Sequence, residues 1–288
     1  MTVRIIGSDW DVAVLRALAA DPPPPSGTEA RRRHTLRILV DTIGDDLKLF
    51  LRCHGAQYAA RWRHPSDPVV ALVSWLAGYY LRLHDVLRSG PRQALLGWAD
   101  AVGAAGALGG ATRLVLTTQL GHALMVPLLV EEATGRPAFP IVHDRNPLVV
   151  RMYRERLRLG EPLLLTRLGA GDIRRWLRSD GTIVANLDTC YPGTRQVREL
   201  PVLGGRLNVP TGLLAFATRR SLEVRAMAAP EVAGRITPQI GAPLSGGVGS
   251  ALDDYGVWLE RCVSACPEQW MAWGSLSPRP REAAAHGL

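Results

Sequence analysis

The chain has 288 residues, 47% of them hydrophobic and 21% charged, a globular composition that excludes disorder over its whole length. Its formal net charge is +8, carried by arginine almost alone because Lys48 is the single lysine. The planar guanidinium suits phosphate and carboxylate, so the balance points to a polyanionic partner: nucleic acid, an anionic membrane surface, or a phosphorylated donor.

Four cysteines, Cys53, Cys190, Cys262 and Cys266, are too few for a disulfide scaffold at this length. The N-terminus carries charges through what would be the apolar part of a secretory signal. Long uncharged stretches include 68–81 and 114–130, and both fall short of the roughly 20 apolar residues that span a bilayer. The expectation is a soluble, cytoplasmic, reduced protein without a transmembrane anchor.

In chain order, the spacing predicts a short helix over 10–19, stopped by the proline run 22–25 and reading as an arm on a stiff spacer. Leu36, Leu39, Ile43, Leu47 and Leu51 recur at helical spacing over 28–51. A third helix is predicted over 69–87, with Trp75, Tyr79 and Tyr80 joining its apolar face and Gly90–Pro91 closing it. A fourth, over 93–103, runs into a link rich in glycine and alanine. Residues 1–105 therefore read as a helical N-terminal region.

Beyond Gly110 strands alternate with helices. Strands are predicted over 114–117, 138–142, 163–166, 182–187 and 223–228, and helices over 149–159, 170–178, 211–218 and 250–266. Such alternation implies an α/β fold with a largely parallel central sheet and helices on both faces.

Within residues 113–129 an apolar, β-branched run meets a polar corner, Thr118, Gln119, Gly121 and His122, and a second apolar run leaves it at helix-like spacing. A strand–turn–helix corner is where α/β enzymes place reactive groups, because glycine lets the chain turn closely and the new helix presents free N–H donors. This corner is the first candidate site. Asp188 follows the strand 182–187, which ends at Asn186 and Leu187, and a carboxylate there is well placed to bind an acceptor or orient a base. Cys190, two residues on, reads as an acyl-accepting thiol or, more simply, as a small buried residue. His143 follows a strand and reads as a structural histidine or a further base. Cys262 and Cys266 share a helix face without a second ligand pair, so they read as core and no metal site is expected.

Five segments in order, VLTTQLGHAL, DRNPLVVRMYRERLR, TRLGAGDIRRWLRSDGTIVANLD, LPVLGGRLNVPTGLLAFA and CPEQWMAWGSL, resemble the lipid A late acyltransferase family within the lysophospholipid acyltransferase superfamily. The resemblance covers roughly residues 100–280 and implies that 106–288 form an acyltransferase-like α/β core. It implies transfer of a fatty acyl group from an acyl carrier protein or coenzyme A thioester to a hydroxyl. In the family a histidine acts as base and an acidic residue five positions later orients it. Aligning the corner through its glycine puts Gln119 at the base and Leu124 at the carboxylate. Reading from His122 instead makes the acidic position Pro127, so neither register restores the dyad.

Three explanations stand side by side: His122 is a displaced base beside Gln119; the acceptor is a hydroxylamine or amine that needs no strong base; or the chain keeps the fold without the chemistry. The resemblance also places Arg145, Asn146 and Arg167 beside the site, where arginine would bind donor phosphates or stabilise an oxyanion. Thr118, Asn186 and Cys190 complete the expected substrate contacts.

The leading functional expectation is a soluble acyltransferase for a small-molecule acceptor in specialised metabolism, with no tightly bound cofactor and the acyl donor as co-substrate. A second takes an aminoacyl-tRNA as donor, for which the arginine-rich stretches 151–158 and 174–178 suit a phosphate backbone. A third is a catalytically inactive binding protein of the same fold, in peripheral contact with an anionic membrane.

Overall fold

The computed structural model describes residues 8–25, 27–59, 62, 67–142, 149–150, 153–154, 162–164, 168–190 and 194–278. Three helices come first: α1 (Ser8–Ala20), α2 (Thr28–Ala59) and α3 (Pro68–Ser89). Their limits follow from local chemistry. The Asp67 carboxylate caps α3 by accepting from Val69 N at 2.8 Å and Val70 N at 3.0 Å, with Pro68 pre-set for the first turn.

The proline run does not leave α1 as a free arm. Trp10, Val14, Leu15 and Leu18 form an apolar stripe that is buried, and α1 packs against both α2 and α3. The single helix expected over 93–103 is two pieces, α4 (Pro91–Ala94) and α5 (Trp98–Ala105), because Gly97 between them adopts a left-handed φ of 77°.

The α/β part begins with β1 (Thr112–Gly121), α6 (Val126–Thr134), β2 (Ala138–Val142), β3 (Leu163–Leu164), α7 (Ala170–Arg178) and β4 (Thr182–Asn186). The chain continues through β5 (Val197–Val202), β6 (Gly205–Pro210), α8 (Gly212–Arg219) and β7 (Glu223–Ala229). It closes with the short pair β8 (Glu231–Val232) and β9 (Arg235–Ile236), then β10 (Gln239–Pro243), α9 (Val248–Ala265) and β11 (Leu276–Pro278). Most of the helix expected over 149–159 lies outside the described residues.

The main sheet has six strands in the order β10-β7-β1-β4-β2-β3, all parallel except β10 at the edge. β1 lies inside it, which is why Leu114 to Thr118 read as a continuous buried run rather than an alternating one. A second, antiparallel sheet of β11, β6 and β5 was not foreseen from the sequence. Its hairpin turns at Leu203 (φ 52°) and Gly204 (φ 69°), and a leucine in the left-handed region gives no turn signal in the sequence.

One hydrophobic cluster runs from Trp10 to Leu276, so the helical N-terminus and the α/β part share a core. Among the described residues no helix is long and apolar enough to cross a membrane.

Candidate functional site

The connection leaving β1 runs through α6 to β2 on one side of the sheet, whereas the chain after β4 returns to β7 on the other. The two paths part above the adjacent C-terminal ends of β1 and β4, where parallel sheets open a crevice.

The corner at the end of β1 requires its glycine. Gly121 has a φ of +65°, and a Cβ there would lie 2.2 Å from Ala229 O on the neighbouring β7. That close approach lets His122 N donate to Ala229 O at 2.8 Å, and the chain turns directly towards α6.

Asp188 ties the end of β4 to this corner. Its Oδ2 accepts from the Thr118 hydroxyl, from Gln119 N at 2.8 Å and from the Trp270 indole N–H at 2.8 Å. Trp270 also donates to Thr118 Oγ1 at 3.1 Å. Asp188 is fully buried, and burial raises its pKa while the Thr118, Trp270 and Gln119 donors pull it back. Its arrangement makes it a strut that fixes the backbone of Gln119. Trp270 belongs to the Pro-Glu-Gln-Trp segment near the C-terminus, which thereby holds the corner from behind.

Gln119 faces a cavity of about 600 Å³. Its Nε2 donates to Thr189 Oγ1 at 2.7 Å, and the carbonyl end of the amide has no partner. Asn186, at the end of β4, also lines the cavity with an unpartnered Oδ1. Both oxygens are buried, so the cavity is bordered by two unsatisfied amide acceptors. Much of the remaining wall is apolar, including Leu124, Val142, Ile173, Leu187, Leu213 and Phe216. Arg195 and Arg219 also line the cavity; both are exposed, and neither makes an ion pair among the described residues.

His122 sits elsewhere. It is 3% exposed, is not part of the cavity wall, and its Nε2 lies 3.0 Å from Glu231 Oε2. Glu231 pairs in turn with Arg82 of α3 at 2.5 Å. Burial lowers the His122 pKa against the raising effect of Glu231, so the ring is neutral near pH 7. Burial would raise Glu231, but the His122 hydrogen bond and the Arg82 charge outweigh it and hold its carboxyl below the ordinary value. Gln269 fixes the backbone beneath this triplet, with Oε1 accepting from Glu231 N at 2.8 Å and Nε2 donating to Glu231 O at 2.7 Å.

The structure thus brings Gln119, Asn186, Thr118 and Asp188 to one corner, with the first two facing the cavity and the last two beneath it. His122 is outside the cavity wall, at the contact of the corner with Glu231 and with Tyr79 and Arg82 of α3. Cys190 is half-buried, free and not part of the cavity wall. Arg145, Asn146, Arg167 and His143 lie outside the described residues. Cys262 and Cys266 are buried, and burial pushes their thiols up to about 11 and about 12. Among the described residues no group of three or more His, Cys, Asp or Glu could hold a metal ion.

Sequence reasoning overlooked Asp11 and Tyr79 as cavity residues. A signal was present for the first: Asp11 shares a helix face with Val14, Leu15 and Leu18, and a carboxylate within a buried apolar stripe calls for a reason. No protein-family model matches the chain, and no curated protein matches it.

Proposed function

We propose that the chain is an acyltransferase that moves an acyl group from an activated donor, a thioester, to an amine or hydroxyl of a small molecule. The observation that carries the reading is the cavity of about 600 Å³ at the C-terminal ends of β1 and β4, apolar over much of its wall and bordered by Gln119 and Asn186, whose amide oxygens are buried without a partner. An apolar wall accommodates an acyl chain. The resemblance to lipid A late acyltransferases, centred on the same corner, adds support.

Glutamine takes no proton near neutral pH, so Gln119 acts by position. Its free carbonyl accepts a hydrogen bond from the N–H or O–H of the acceptor and turns the lone pair towards the donor carbonyl. The acceptor nitrogen or oxygen then bonds to the carbonyl carbon, the carbon–sulfur bond breaks, and the thiolate leaves with the proton that the nucleophile loses. An amine or hydroxylamine needs less help from a base than an alcohol does, which matches a corner without one.

Arg195 and Arg219 on the cavity wall favour a polyanionic donor, and an aminoacyl-tRNA meets that description as well as a phosphopantetheine thioester does. Mass spectrometry of acceptor mixtures incubated with the protein and either acyl thioesters or aminoacyl-tRNAs separates them by the product formed. Gln119→Ala should lower turnover by roughly 100-fold if the amide orients the nucleophile. Absence of any acylated product from both donor classes, or turnover untouched in Gln119→Ala, would overturn the reading in favour of a binding protein.

A further inference from the structure

Asp11 is the only acidic side chain among the described residues of the cavity wall. It is 5% exposed, and its Oδ1 has no hydrogen-bond partner. The titratable groups facing it are Tyr79 and Tyr80 from α3, together with Tyr153, and no arginine, lysine or histidine pairs with it among the described residues. Tyr79 and Tyr153 line the same cavity, and the Tyr79 hydroxyl is likewise buried without a partner.

A buried carboxyl with one oxygen unsatisfied is costly unless something else completes it. Burial raises the Asp11 carboxyl to about 7, with the Tyr80 hydroxyl pulling slightly the other way. A positive donor would complete it with both a hydrogen bond and charge. A neutral hydroxyl would supply a hydrogen bond without the charge.

We propose that Asp11 is the anchor of an ammonium-binding subsite, and that the acceptor substrate enters this cavity carrying a primary ammonium group, separate from its nucleophile, that pairs with Asp11. The term acceptor rests on the acyltransferase reading, whereas ammonium binding does not. Within that reading the subsite selects acceptors that carry an ammonium group over neutral ones that would otherwise fit the same apolar wall.

Isothermal titration of the full chain with hexylamine and, separately, with hexan-1-ol tests this without any acyl donor. At about pH 8 hexylamine should bind roughly tenfold more tightly than hexan-1-ol, because a charge-assisted hydrogen bond replaces a neutral one. Asp11→Asn should abolish that preference. Equal binding of the two probes, no binding of either, or a preference that persists in Asp11→Asn overturns the proposal. A second readout needs no variant: near pH 6, where Asp11 holds its proton, hexylamine binding should release close to one proton, seen as a dependence of the heat on buffer ionisation. Hexan-1-ol should release none, and an amine that binds without proton release overturns the proposal equally. Ammonium preference without acyl transfer in the mass-spectrometric assay would sink the acyltransferase reading alone.

Discussion

Asp11 and Asp188 are both buried carboxyls that burial raises and whose Oδ1 has no partner, but only Asp188 has three donors on its other oxygen. Asp188 has three donors on one oxygen, so removing it in Asp188→Ala leaves the Thr118 hydroxyl hydrogen and Gln119 N–H without their acceptor and Trp270 with Thr118 Oγ1 alone. A loss of about 3 kcal/mol is expected in denaturant unfolding, with turnover falling because Gln119 loses its strut. Asp11 has no such support. Its carboxyl is raised from 3.8 to about 7, so between those values the unfolded chain has released the proton while the folded chain still holds it. Stability should therefore fall as pH rises from about 4 to 7 and flatten above, a difference of roughly 4 kcal/mol for this one group. Asp11→Asn should remove that slope and be more stable than the parent at pH 8, as read from urea midpoints across pH. A parent curve parallel to that of the variant would show that Asp11 ionises freely.

Among the elements, β1 carries the most constraint for its length. Gly121→Ala would drive a methyl group to 2.2 Å from Ala229 O at a positive φ, so the corner and the β1–β7 pairing must shift. A loss of about 3 kcal/mol or more is expected, together with loss of any activity that depends on Gln119. This corner was legible in the sequence because a strand, a glycine and a helix follow in direct succession. The parallel strands were legible for the same reason that they are stable: strands buried on both faces show as unbroken apolar runs. The hairpin of β5 and β6 was not, since its turn uses Leu203 where a sequence reader looks for asparagine or glycine. Nor was the docking of α1, because the prolines at 22–25 describe only the connection and say nothing of where the helix before them goes. Leu18 is completely buried, and Leu18→Ala should cost between about 2 and 5 kcal/mol in the same unfolding assay, far more than truncating a residue on a free arm. His122 shows the limit from the other side: its place three residues after Gln119 suggested one pocket, but the turn at Gly121 sends its ring to Glu231 and Arg82.

At the scale of the whole molecule, the net charge of +8 is not spread evenly in its effects. Several arginines are neutralised within the fold, Arg31 by Asp85 at 2.5 Å, Arg82 by Glu231 and Arg225 by Glu223 at 2.9 Å. Arg195 and Arg219 are exposed, have no ion-pair partner among the described residues and line the cavity, so positive charge meets solvent beside it. A polyanionic donor would feel this field over roughly a Debye length, about 8 Å at physiological ionic strength, and its affinity should fall as salt rises. Reversing both charges in Arg195→Glu/Arg219→Glu should weaken donor binding by about tenfold or more at low salt and flatten the dependence of log Kd on log salt. Hexylamine binding at the Asp11 end of the cavity should change little, because its head pairs within the protein rather than with the wall that carries the arginines. Fluorescence titration of the parent and double variant with coenzyme A, at two salt concentrations, measures the slope. An unchanged slope would place the donor's phosphates elsewhere on the surface, and the arginine excess would then serve solubility alone.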